Sequence, residues 1–238
     1  MKAIINLKKS IIIAADVNDF EELENLAIKV KDVPGIGGFK IGFRMAFRGL
    51  RFAVDIIKEN YGKTVIIYDH QKAGNDIPDM GKGFSKDLKE AGVDAAILFP
   101  FAGPETQTIW TNECFEAGLQ VLTGGIMTHP KFLVSEGGYI ADDVPERIFR
   151  LACELGVNHF IVPGNKLHWV MKLRSLVVNE LGEGNYTLSA PGFLTQGGDI
   201  SECAKSAGDN WHAIVGSGIY KADDIHQAAI NITKQIIK

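Results

Sequence analysis

Glu90-Ala91-Gly92-Val93-Asp94-Ala95-Ala96-Ile97-Leu98-Phe99 carries the end of an amphipathic segment straight into an apolar run. The glycine supplies the left-handed residue that ends a helix, and the run after it reads as a buried strand. The same grammar returns at Glu116-Ala117-Gly118-Leu119, before Gln120-Val121-Leu122-Thr123, and at Glu154-Leu155-Gly156-Val157, before His159-Phe160-Ile161-Val162. Toward the N-terminus, residues 11–15, 38–42 and 64–69 read as three earlier strands; toward the C-terminus, 186–190 and 213–216 complete eight. Asn18 or Asp19 caps a helix through Val30, with Glu21 or Glu22 placed for a capping box. Residues 45–60 set Phe47, Leu50, Val54 and Ile57 on one helical face. Pro78 and Pro104 open two further helices, and the last runs over 223–237. Eight β/α units in this length predict one α/β domain over residues 1–238, a single (β/α)8 TIM barrel. An open doubly wound sheet is the alternative, but no Gly-x-Gly-x-x-Gly follows the first strand.

With 46% hydrophobic residues in 238, the chain can bury one large core. A formal charge of -4 without a Lys/Arg block argues against nucleic acid or an anionic membrane as the main partner, and for a small molecule. Cys114, Cys153 and Cys203 stand far apart in helical segments with no Cys-x-x-Cys spacing, which predicts buried free thiols and a reducing compartment. The first nine residues do not read as a signal peptide, and no run approaches the ~18 apolar residues of a membrane span. A soluble cytoplasmic protein is expected.

The C-terminal ends of barrel strands share one mouth, where chemistry is placed. Here the third strand ends in Asp69-His70-Gln71-Lys72-Ala73-Gly74-Asn75-Asp76-Ile77-Pro78, so Asp69, Lys72 and Asp76 alternate carboxylate, ammonium, carboxylate. Asp16, Lys40, Met127-Thr128-His129-Pro130 and Pro163-Gly164-Asn165 fall at the same mouth. After the seventh and eighth strands come Pro191-Gly192 with Gln196-Gly197-Gly198-Asp199, and Gly216-Ser217-Gly218. Gly-rich loops at these two places favour a phosphate held by backbone N–H groups of Gly197, Gly198, Gly216 and Gly218, with the Ser217 hydroxyl.

Together these motifs resemble the archaeal type of orotidine 5'-monophosphate decarboxylase. The resemblance covers nearly the whole chain, from Ala15-Asp16-Val17 and Phe39-Lys40-Ile41-Gly42 to Val215-Gly216 with Ile219-Tyr220. It implies that Asp16 holds ribose hydroxyls, Lys40 bridges ribose and charged array, Asp69 lies against the substrate carboxylate, and Lys72 delivers a proton to C6. It further implies a homodimer in which Asp76 acts in the partner's site with Ile77 beside it. Thr128 would recognise the pyrimidine edge, Pro191 would belong to the substrate loop, and Gln196 would link the closing loop to phosphate and base. No metal or organic cofactor is implied.

Two departures from the family pattern stand out. The usual Asp-x-Lys-x-x-Asp is here Asp69-x-x-Lys72-x-x-x-Asp76, so either a bulge follows Asp69 or His70 takes the position facing Lys72. Ser217 stands where the family usually has a phosphate-binding Arg. A Mg²⁺-dependent sugar-phosphate decarboxylase or synthase and a non-catalytic nucleotide-binding barrel are the competing readings. His129 is expected to orient its loop. Trp110, Trp169 and Trp211 are expected to pack in or beside helices, and residues 127–142 to form either a lid or a docked loop.

Overall fold

Gly92, Gly118 and Gly156, the three repeated terminators, have φ of 85°, 75° and 86°, and each returns the chain to a strand. The computed structural model describes residues 3–71, 76–193 and 197–236. Its strands are β1 Lys9–Ala14, β2 Ile36–Gly42, β3 Val65–Asp69, β4 Ala95–Leu98, β5 Gln120–Gly124, β6 His159–Ile161, β7 Thr187–Ala190 and β8 Trp211–Val215. All pair in parallel in chain order, and β8 closes onto β1, giving the expected (β/α)8 barrel. The helices are α1 Phe20–Val30, α2 Phe43–Asn60, α3 Gly81–Glu90, α4 Pro104–Glu116, α5 Val144–Glu154, α6 Leu167–Leu181, α7 Ile200–Ala207, α8 Ser217–Tyr220 and α9 Ile225–Thr233. Among the described residues no helix is long and apolar enough to cross a membrane.

Alternation within the strands builds two apolar layers. Ile12, Ala14, Ile67, Ala95, Ile97, Leu122, Ile161 and Ile214 fill the barrel. Neighbours such as Ile11, Ile13, Phe39, Ile41 and Ile66 pack outward under the helices. Burial on both faces is why the strands read as continuous apolar runs. Cys114, Cys153 and Cys203 are buried and free, with burial pushing their thiols up to about 12.

Several local expectations need correction. The α2 segment starts at Phe43, and Gly49, at φ 137° and ψ 93°, breaks it into two helical pieces. The break splits the face expected to be continuous, so Phe47 is 84% exposed while Met45, Ala53, Val54 and Ile57 are buried. Asp19 is the α1 cap, accepting from the Glu22 N–H at 2.9 Å, but the Glu22 carboxylate returns to the Asn18 N–H. The last helix is shorter than expected, capped by Asp224. Trp211 opens β8 and is fully buried, a packing residue on a strand rather than in or beside a helix.

The barrel base is polar. Ser10 Oγ lies 2.7 Å from His212 Nδ1, and His159, Thr187 and Ser189 line the same small cavity beneath Ile4 and Ile5. Burial, reinforced by His159, pushes the His212 pKa down to about 3. Below an unfolded pKa of about 6.5, the unfolded chain binds a proton that the folded chain refuses. Stability should therefore fall as pH drops from there toward about 3, by about 2 to 3 kcal/mol at a pH of about 4.5. Denaturant unfolding across this range should show a shallower acid limb in His212→Asn.

Candidate active site

Inward residues of β1, β2 and β3 meet at the mouth, with Ala14 in register with Lys40 and Gly42 with Asp69. Lys40 Nζ lies 2.8 Å from Asp69 Oδ2 and 3.5 Å from Asp16 Oδ2. Lys40 and Asp69 are 4% and 3% exposed. Burial alone would drive the proton off Lys40, but the Asp69 and Asp16 carboxylates more than offset it and raise its pKa. Gly42 permits this close assembly: a Cβ there would sit 2.6 Å from Asp16 Oδ1.

Strand parity decides between Asp69 and His70. Ile67 and Asp69 point into the barrel, whereas Tyr68 and His70 point out. The His70 ring lies 4.7 Å from that of Phe84 and 5.5 Å from that of Trp110, under α3 and α4. Burial there lowers its pKa against the opposing charge of Asp69. Asp69 is therefore the mouth residue, and its Oδ1 accepts from the Gln71 N–H at 3.1 Å. Lys72 and Gln196 lie outside the described residues.

A cleft of about 180 Å³ opens over this cluster. Its walls bring together Asp16, Lys40, Asp69, Thr128 and Pro191 with Gly216, Ser217 and Gly218, and Ile97, Ile161 and Ile214 lie at its apolar floor. Asn165 Nδ2 donates to the Thr128 carbonyl at 3.0 Å, and the Gly164 N–H donates to the Pro191 carbonyl at 2.8 Å, tying three mouth loops together. Gly197 and Gly198 stand beside the cleft rather than lining it; the Gly198 N–H is directed to the Gly192 carbonyl at 3.1 Å. Gln71 and Tyr220 also line the cleft, and sequence reasoning assigned neither a role. Gln71 was findable, since it stands two residues beyond Asp69 with the same parity. Tyr220 needed the length of α8, whose single turn brings its ring back beside Gly216.

Asp76 and Ile77 do not line this cleft. The Thr106 hydroxyl donates to the Asp76 carbonyl and Trp110 Nε1 to the Ile77 carbonyl, both at 3.1 Å, fixing the pair from α4. Both side chains face outward, Ile77 being 60% exposed. The 127–142 segment is docked: Phe132 and Leu133 are buried, and Glu136 pairs with Lys166 at 2.8 Å. His129 Nδ1 lies 2.9 Å from the Pro130 carbonyl oxygen, within its own loop. A larger groove of about 720 Å³ lies at the other end of the barrel and contains none of the mouth residues.

Removing the ammonium should expose the tension in this cluster. Lys40→Met takes from buried Asp69 the ammonium 2.8 Å away, so denaturant unfolding at neutral pH should show a loss of about 3 to 5 kcal/mol.

No family model matches the chain. It is 31% identical over 229 residues to orotidine 5'-phosphate decarboxylase of Methanosarcina barkeri, covering 96% of this chain and 95% of that protein. It is 29% identical to the enzyme of the same name from Methanosarcina mazei over 225 residues, covering 94% of each. In fold it is similar to orotidine 5'-monophosphate decarboxylase from Methanocaldococcus jannaschii complexed with the inhibitor BMP. That likeness has a TM-score of 0.83 at 19% identity, covering 97% of this chain and 99% of the other.

Proposed function

The chain belongs to the orotidine 5'-phosphate decarboxylase family, and on that premise we propose that it converts orotidine 5'-monophosphate to uridine 5'-monophosphate and carbon dioxide without a cofactor. The observation that carries this reading is the buried Lys40 ammonium held between Asp69 and Asp16 at the barrel mouth. Loss of carbon dioxide leaves an in-plane carbanion at C6 that no π-system absorbs, so fixed positive charge must be waiting there. Lys72 supplies that charge and then the proton. Asp69 lies against the departing carboxylate, Lys40 fixes Asp69, and Asp16 takes the ribose hydroxyls. Thr128 and Pro191 meet the base, while Gln196, Gly216, Ser217 and Gly218 take the phosphate.

Asp76 and Ile77 enter the partner's site in a homodimer. The support is their outward presentation from a backbone that Thr106 and Trp110 hold in place. Turnover of orotidylate in deuterium oxide tests the proton-delivery step: one deuterium at C6 of the product is expected, and a product without it would remove the C6 carbanion from the reading.

Position 217 makes a separate prediction. A charge-assisted hydrogen bond contributes about 1.5 to 3 kcal/mol, so an Arg added there should strengthen phosphate binding, by at most roughly 10- to 150-fold. Steady-state kinetics of Ser217→Arg should show a lower Michaelis constant for orotidylate.

A further inference from the structure

The side chains lining the described part of the cleft carry one ammonium, Lys40, against two carboxylates, Asp16 and Asp69. A nucleotide phosphate brings about two more negative charges, and Ser217 offers it only a hydroxyl. Positive charge must come from the rim. Lys166 is engaged there by Glu136, its side chain only 13% exposed. Lys221 caps the far end of α8 and is exposed.

Arg44 is placed differently. It lies in the first turn of α2, just beyond the Gly42 backbone that abuts Asp16. Its Nη2 reaches over the turn between β1 and α1 to within 3.5 Å of Asn18 Oδ1. The Arg44 charge also reaches Glu22, in the first turn of α1, but that carboxylate is held by the Asn18 N–H and Nδ2 at 2.9 to 3.1 Å. On the far side stands Tyr220, whose ring lies beside Gly216 at the Gly-rich rim. Tyr220 and Asp16 share the cleft lining, and Asn18, which Arg44 reaches, stands two residues beyond Asp16 at the edge of that cleft. The planar fork has five donors, enough to keep Asn18 and still grip a phosphate oxygen.

We infer that Arg44, reaching across the end of β1 from α2, is the phosphate-binding cation that replaces the missing one at position 217. This assignment rests on the nucleotide reading above. Its test is calorimetric binding of uridine 5'-monophosphate and of uridine to the wild type, Arg44→Ala, Lys221→Ala and the double variant Arg44→Ala with Ser217→Arg. Arg44→Ala should weaken monophosphate binding by about 10-fold or more while leaving uridine binding unchanged. Lys221→Ala should change neither, and Ser217→Arg should restore monophosphate binding in the Arg44→Ala background. A wild type that prefers the monophosphate, with Arg44→Ala unaffected or the loss appearing in Lys221→Ala instead, would overturn the role of Arg44 and leave the nucleotide reading intact. A wild type that binds both ligands equally, or neither, would overturn the phosphate site itself and this assignment with it.

Discussion

Lys72→Ala is expected to lose at least about 100-fold in turnover while unfolding at the wild-type temperature. The asymmetry follows from where the charge is needed. An interaction that strengthens as the C6 carbanion forms lowers the barrel's barrier to reaction without being required for folding. The barrel closes through β1 to β8, and the buried Lys40 ammonium lies 2.8 Å from Asp69. Single-turnover kinetics beside thermal unfolding separate the two effects. Near-normal turnover would remove Lys72 as proton donor, while a large fall in unfolding temperature would make it a structural residue.

Mixing inactive Lys72→Ala and Asp76→Ala chains is expected to restore activity. In a two-fold dimer with a shared site, each mixed pair has one site containing both Lys72 and the partner's Asp76, and one lacking both. Random reassortment then leaves about a quarter of all sites intact. The geometry behind this is the displacement of Asp76 from its own cleft, together with exposed Ile77 and Met80 next to it. Activity measured after mixing, with mixed dimers verified by native mass spectrometry, decides the matter. Mixed dimers that stay inactive would return Asp76 to its own subunit's site or remove it from the chemistry.

The barrel was legible because its strands are buried twice over: a run such as Ile11-Ile12-Ile13 needs apolar residues on both faces. Its helix ends were legible because Gly92, Gly118 and Gly156 all have positive φ. The exposure of Phe47 was not, because Gly49 fits an unbroken helix in spacing while its backbone leaves the helical region. At the mouth, sequence spacing left Asp69 and His70 as rivals. Pairing of β3 with β2 and β4 through Asp69 fixes the alternation and sends His70 outward. The assembly of Asp16, Lys40 and Asp69 depends on register between three strands, which one-dimensional spacing does not encode.

The most direct measurement is ultraviolet monitoring of orotidylate with the purified protein, with and without excess chelator. Conversion of orotidylate to uridylate at a rate the chelator leaves unchanged is the predicted result. Tight binding of uridylate with no loss of orotidylate, or turnover that the chelator abolishes, would contradict the account.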